Sequence, residues 1–154
     1  MIKVFGHTSP DTDATLSAIA WAWYLTEVRG TPATPFVLGT PNTEAAFLLG
    51  HWGLDAPALL GEIAAGDRVV IVDTNNPAEL PASIDAAEIV EIVDHHRLVG
   101  GLKTAAPITV TIRPLACTAT ILHDRMGTDL ARAPRAIRGA MLSAILSDTL
   151  AFRS

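Results

Sequence analysis

The 154-residue chain has one cysteine, Cys117, and two lysines, Lys3 and Lys103. A lone cysteine excludes an internal disulfide framework. Aromatic residues make up only 5% of the chain, leaving little surface on which unpaired bases could stack. Charged residues are 18%, the net charge is −5 and no basic run is present. Such a balance argues against a nucleic-acid partner, because that binding neutralises phosphates with lysine and arginine. The longest uncharged helix-like run, Ala14 to Thr26, falls short of the ~18 apolar residues that span a bilayer. Met1 to Phe5 leads straight into a polar loop, without the long apolar stretch of a secretory leader. These absences point to a soluble, cytoplasmic protein with no membrane or nucleic-acid partner.

Apolar residues account for 49% of the chain, enough for one domain with a sizeable core. At about this length folding buries ~68–70% of the unfolded surface, so neither disulfide nor structural metal is needed for stability. There is no internal repeat. Aspartate occurs ten times against six glutamates, and the shorter side chain loses less rotamer freedom when fixed on a metal.

Hydrophobic periodicity divides the chain into alternating strands and helices. Ile2 to Phe5 is a short β-type run, Ala14 to Val28 follows helical spacing, and Gly30 supplies a stop. Thr34 to Leu38 predicts a second strand, and Thr43 to Leu49 and Ala56 to Ala65 predict helices. Arg68 to Val72 and Glu88 to Val93 are β-branched runs of the kind buried in parallel sheets. Pro107 to Ile112 is a weaker strand; Leu115 to Met126 and Pro134 to Ser147 read as helices. The alternation predicts an α/β fold, a doubly wound and mainly parallel sheet with helices on both faces.

The informative pattern lies just past the carboxyl end of each strand. His7, Asp11 and Asp13 come after the first, Asp73 after the Arg68–Val72 run, and Asp94, His95 and His96 close the next. Open α/β sheets bind ligands outside the carboxyl ends of their strands. Three separate stretches therefore bring histidine and aspartate to one edge, and Asp148, at the end of the last predicted helix, can join them. Singly, each residue has an ordinary structural reading: Asp11 or Asp13 as a helix cap, Asp73 to Pro77 as an Asx turn. Adjacent imidazoles after a buried strand rarely help packing, however, and an aspartate at a helix C-terminus opposes the dipole.

Taken together, His7, Asp11, Asp13, Asp73, His95 and Asp148 are too many for a closed zinc site, and no thiolates accompany them. They suit two adjacent cations sharing one carboxylate, with imidazole and carboxylate together favouring manganese, iron, cobalt or zinc over calcium or pure magnesium sites. Two such ions can generate hydroxide at neutral pH and clamp both oxygens of an in-line displacement, which is phosphoester or phosphoanhydride hydrolysis. His51 and His123 have no partner pattern and read as surface or satisfied histidines. Cys117 reads as a buried, inert thiol, and Trp21, Trp23 and Tyr24 as core or interface.

Gly6-His7-Thr8-Ser9-Pro10-Asp11-Thr12-Asp13, Val72-Asp73 and Val93-Asp94-His95-His96-Arg97 resemble three motifs of the DHH phosphoesterase superfamily. Within it they are most similar to the manganese-dependent family II inorganic pyrophosphatases. Arg113 to Ile121 and Met141 to Leu150 resemble two further blocks, so the likeness spans the whole chain. The resemblance implies that His7, Asp11 and Asp73 hold one manganese. Asp13, Asp73, His95 and Asp148 would hold the other, with Asp73 bridging and Co2+ or Mg2+ as substitutes. It also implies that His96 and Arg97 face the phosphoryl group and that Asp94 orients a ligating imidazole. Thr74, Arg113 and Ala116 depart from residues common in the family, and none is an implied ligand.

The resemblance further implies pyrophosphate hydrolysis through a metal-bridging hydroxide, and a homodimer formed through this domain. Residues 1–154 read as one metal-binding catalytic domain, ending where the family would continue into a second, substrate-clamping domain. Activity of the shorter chain is accordingly expected to be weak. The competing readings are an exopolyphosphatase or short-oligonucleotide hydrolase of the same superfamily, and a non-catalytic metal-binding dimerisation module.

Overall fold

A computed structural model describes residues 1–153; Ser154, the last residue of the expected domain, lies outside them. Among the described residues six strands form one sheet: β1 (Ile2–Phe5), β2 (Ala33–Val37), β3 (Ala58–Leu59), β4 (Arg68–Val72), β5 (Glu88–Asp94) and β6 (Thr109–Ile112). The spatial order is β3-β2-β1-β4-β5-β6 and every pairing is parallel. The chain therefore winds outward from β1 in one direction and, after returning to β4, in the other. A crevice opens where the direction reverses, between the carboxyl ends of β1 and β4.

The described residues form four α-helices, α1 (Thr12–Glu27), α2 (Thr43–Trp52), α3 (Thr118–Met126) and α4 (Arg135–Asp148). They share one core with the face of the sheet that presents Val4, Val70, Val72 and Val93. Helix α1 is buried nearly all round. Its buried small residues Ala14, Ala18, Ala20 and Ala22 allow close approach of the layers around it, the sheet on one side and α3 and α4 on the other. A Cβ at Gly6 would meet the Ala14 Cβ at 2.7 Å and the Val72 carbonyl at 3.2 Å. The glycine after β1 is thus what lets α1 start directly over the crevice.

Right-handed crossovers place the β4–β5 and β5–β6 connections on the opposite face. There the layer is thinner than the sequence pattern predicts. Two 3-10 turns, Pro77–Glu79 and Ile84–Ala86, and irregular loops cover Phe5, Val69, Ile71, Ile89 and Ile92 with Leu80, Ile84, Leu60 and Ile63. Full burial of each large apolar side chain in either core contributes about 1.5–3 kcal/mol.

The helix expected over Ala56 to Ala65 does not form. Its apolar residues serve the sheet instead: Ala58 and Leu59 pair with Phe36 and Val37 as a two-residue edge strand, and Leu60 and Ile63 enter the second core. Helix α3 starts at Thr118 and not at Leu115, because Cys117 is extended (φ −154°) and the free amides of the helix start have another partner. No helix among the described residues is long and apolar enough to cross a membrane.

Candidate metal centre

Asp73 sits immediately past β4 with φ 62°, a left-handed conformation that aspartate tolerates better than most residues. Its amide still pairs with the Val93 carbonyl at 2.9 Å, so the sheet continues while the side chain is turned into the crevice. The two carboxylate oxygens face different neighbours. Oδ2 lies 3.5 Å from His7 Nε2, and Oδ1 lies 3.3 Å from His95 Nε2 and 3.9 Å from His96 Nδ1. Oδ1 also accepts from the Thr118 hydroxyl at 3.0 Å.

His7, on the loop after β1, points its Nε2 at Asp11 Oδ1 as well, at 3.7 Å. Asp11 is the N-cap of α1, its Oδ1 accepting from the Ala14 amide at 3.0 Å. Capping and ligation are therefore not rival readings here, because one carboxylate does the first and remains within reach of the second. Asp13, one residue into the same helix, is fully buried. It accepts from Ser17 Oγ at 2.9 Å and from the Thr118 and Ala119 amides at 2.5 and 3.0 Å. Those amides are the open N-terminus of α3, whose dipole favours a carboxylate at that position.

His95 Nδ1 bonds the Leu115 carbonyl at 3.0 Å, which makes Nδ1 the protonated nitrogen and leaves the Nε2 lone pair for the crevice. The Asp94 carboxylate holds its neighbour instead. Oδ1 accepts from His96 Nδ1 at 2.8 Å and from the His95 and His96 amides at 2.7 and 3.0 Å. The two imidazole centroids are 4.2 Å apart. Arg97 comes next, on the exposed side of the loop. Asp148, the last residue of α4, completes the ring of carboxylates.

Donor atoms of His7, Asp11 and Asp73 lie within 4.8 Å of one another, as do those of Asp13, His95 and Asp148, and those of Asp73, His95 and His96. All six ligands expected from the sequence are therefore brought to one crevice. His51 and His123 lie outside it; both are exposed, His51 edge-on to Trp52 and His123 3.5 Å from Asp124. Cys117 is fully buried behind it. A cavity of about 420 Å³ does exist at the other end of the strands, lined in part by Trp21, Arg125 and Glu91. Its central charges are already paired, Glu91 accepting from Trp21 Nε1 at 2.8 Å and from Arg125 at 2.5 Å, and it contains none of the expected site residues.

Crowding of negative charge shows in the titration behaviour. Burial, then repulsion from Asp73 and Asp148, pushes Asp13 well above the usual carboxylate range. Burial, then the charges of Asp73 and Asp11, raises Asp148 to about 6. Hydrogen bonds to Asp11 and Asp73 raise His7 to about 10. For Asp73 burial acts upward but is outweighed by hydrogen bonds from His7 and His95, which hold it below the ordinary range. For His95 burial acts downward and is outweighed by Asp73, so it too is raised. In the metal-free chain, protons supply the positive charge that this cluster demands.

Sequence reasoning missed three supporting side chains. Asn75 is buried; its Nδ2 donates to Asp94 Oδ2 at 2.5 Å and to the Arg97 carbonyl at 3.0 Å, and its Oδ1 accepts from the Val99 amide at 2.7 Å. Thr118 gives both its amide and its hydroxyl to the aspartates. Glu44, in the first turn of α2, accepts from Thr12 and Ser147. Asn75 sits in a stretch readable as an Asx turn, and the other two carry no pattern that singles them out.

Residues 1–147 match the DHH family, N-terminal domain. The chain is 45% identical over 157 residues to a probable manganese-dependent inorganic pyrophosphatase of Deinococcus radiodurans, and 40% identical over 152 residues to one of Lactobacillus acidophilus. It spans 100% and 98% of itself in these comparisons but only 48% of either relative, about half their length. The crystal structure of a candidate family II inorganic pyrophosphatase of Methanococcus jannaschii superposes with a TM-score of 0.83 at 33% identity, over 100% of this chain and 50% of that one. An exopolyphosphatase-related protein of Bacteroides fragilis shares the fold, with a TM-score of 0.72 at 17% identity, over 99% of this chain and 47% of its own. A parallel sheet with His and Asp donors at its reversal point, joined to these likenesses, places the chain in the DHH family as its N-terminal domain.

Proposed function

We propose that the chain is the metal-binding half of a manganese-dependent inorganic diphosphatase, which hydrolyses pyrophosphate to two phosphates. The observation that carries this reading is Asp73, whose two carboxylate oxygens face two separate donor groups. The donor set fits such ions: imidazole and carboxylate together, converging within 4.8 Å, with no thiolate among them. In this reading His7, Asp11 and Asp73 hold one manganese. Asp13, His95 and Asp148 hold the other and share Asp73 with the first, and Co2+ or Mg2+ can replace manganese. When bound, the ions would supply an activated water and neutralise charge on the phosphoryl oxygens.

The chain's own residues do the rest. Asp94 accepts from His96 Nδ1 and fixes that ring, so Nε2 is the atom offered to a phosphoryl oxygen. Arg97, its backbone carbonyl held by Asn75, offers a guanidinium at the rim. His95 is kept in the tautomer that leaves Nε2 unprotonated by the Leu115 carbonyl. Pyrophosphate needs cations at both phosphoryl groups, and this chain offers few near its motifs, Arg97 among them. We assign the remaining grip to the portion of the full-length relatives that the chain does not span, and expect weak turnover from this portion alone. A homodimer through this domain belongs to the same proposal; β6 leaves an edge strand open, with Val110 half-exposed.

Phosphate release from pyrophosphate in manganese buffer, measured beside a polyphosphate and a short oligonucleotide, tests the substrate. Release from pyrophosphate alone supports the proposal. Cleavage of the oligonucleotide or the polyphosphate in its place would keep the chemistry and overturn the substrate. His96→Ala should lower the rate while leaving manganese uptake intact. Asp73→Ala should abolish uptake and hydrolysis together; a wild-type chain that takes up manganese and releases no phosphate would favour a non-catalytic module.

A further inference from the structure

Glu44 is not among the candidate ligands, and α2, which carries it, contributes none of them. Its Oε2 nevertheless accepts from Thr12 Oγ1 and, at 2.5 Å, from Ser147 Oγ. Thr12 stands between Asp11 and Asp13, and Ser147 directly precedes Asp148. One carboxylate oxygen thus joins the immediate neighbours of three candidate ligands, across sequence separations of 32 and 103 residues.

Asp148 has particular need of an external tie. It is the last residue of α4, and beyond it the backbone turns left-handed at Leu150, Ala151 and Phe152. The Thr149, Leu150 and Ala151 amides close the helix end on the Ile145, Ser147 and Leu146 carbonyls, but all three bonds are local to that end. The dipole at a helix C-terminus disfavours a carboxylate, and Asp73 and Asp11 repel this one. The bond from Thr149 Oγ1 to the Ile145 carbonyl, at 2.6 Å, stays within the same turn and cannot set its position relative to α1.

We propose that Glu44 is a positioning residue that clamps the last turn of α4 to the first turn of α1, so that Asp148 and Asp13 face one cation. The inference rests on the metal-binding reading of the crevice. Both bonds run from neutral hydroxyls to one oxygen, so the clamp needs an acceptor at that point and not a charge. A glutamine carbonyl oxygen can take the same two bonds; alanine can take neither.

The test is manganese titration of the full chain by calorimetry, together with amide hydrogen exchange of the metal-free protein. Glu44→Ala should weaken one manganese on the order of 10-fold, as loss of an outer support typically does. The ion held by His7, Asp11 and Asp73 should weaken less, because none of its ligands lies on α4. Exchange at the Thr149, Leu150 and Ala151 amides, which bond back into the end of α4, should speed up while the sheet is unaffected. Glu44→Gln should restore both readouts. Ser147→Ala, a gentler change that removes one arm, should reproduce the same site-selective loss in smaller measure and serves if the alanine variant at 44 does not fold. Wild-type exchange and affinity in Glu44→Ala or in Ser147→Ala would overturn the clamp and leave the metal reading standing. Equal loss in the glutamine and alanine variants would overturn it in favour of a charge effect. A wild-type chain that takes up no manganese would overturn the metal reading and this inference with it.

Discussion

The Thr118 hydroxyl donates to Asp73 Oδ1 at 3.0 Å, tying the first residue of α3 to the carboxylate at the end of β4. The same residue's amide goes to Asp13. A single helix start therefore braces two aspartates from distant parts of the chain. Thr118→Val keeps the shape and the amide and removes only the hydroxyl. A hydrogen bond to a charged group contributes about 1.5–3 kcal/mol. Urea denaturation of the metal-free variant should show a loss near the lower end of that range, and manganese titration should show weaker uptake. Wild-type values in both would mean that the hydroxyl has no role in holding Asp73.

Asn75 should matter more than its position in a turn suggests. Asn75→Ala strips Asp94, the Arg97 carbonyl and the Val99 amide of a partner each. Only Asp94 of the three is buried, Arg97 and Val99 being exposed to water, and leaving one buried polar group unpaired costs about 1–3 kcal/mol. A stability loss of about 1–3 kcal/mol is expected on that basis. Asn75→Asp should be worse than alanine at neutral pH, since it sets a second carboxylate against Asp94. Denaturant midpoints of the two variants check both the size and the order.

The metal-free chain should lose stability as pH rises. Asp148 is raised from 3.8 to about 6 and His7 from 6.5 to about 10. Each binds its proton more tightly folded than unfolded, so its contribution is full below the unfolded value and disappears as pH climbs through the folded one. Asp73, lowered, acts oppositely, but its contribution is lost only on acidification below the ordinary aspartate range. Between pH 6.5 and 10 the His7 effect should dominate among these groups. Melting temperatures in chelator should fall across about pH 6.5 to 8.5, and manganese should reduce that fall. A chelated protein with a flat or rising profile over that interval would contradict this linkage.

Cys117 is fully buried, and burial, then the charge of Asp13, pushes its thiol up to about 11. The thiolate is the reactive form, so a disulfide reagent at about pH 8 should leave the native protein unmodified and label it at once in denaturant. Rapid labelling of the folded chain would show that the segment ahead of α3 opens.

Periodicity made most of the fold legible. The β-branched runs at β4 and β5 and the long apolar helix α1 declare themselves, because burial on both sides leaves few polar residues to confuse the pattern. Ala56 to Ala65 misleads because short apolar segments read alike whether they form a helix, an edge strand or a lid over a second core. The reduced helical layer on that second face is equally hard to see, since Leu80 and Ile84 show no repeat. The candidate donors are legible because most come directly after a strand. Their supports are not. Thr118 acts largely through an amide that every residue but proline possesses, Leu115 through a carbonyl, and Glu44 through hydroxyls brought near only by tertiary packing.

Asp73 as a ligand shared between two cations is the claim on which the proposed chemistry depends most. Manganese titration of the wild-type chain and of Asp73→Asn, with stoichiometry read by calorimetry and coupling between ions by electron paramagnetic resonance, tests this point. Two spin-coupled ions per wild-type chain, and severe loss of both in the variant, are the predicted result. One ion per chain, or a variant that loses one ion and keeps the other at wild-type affinity, would contradict it.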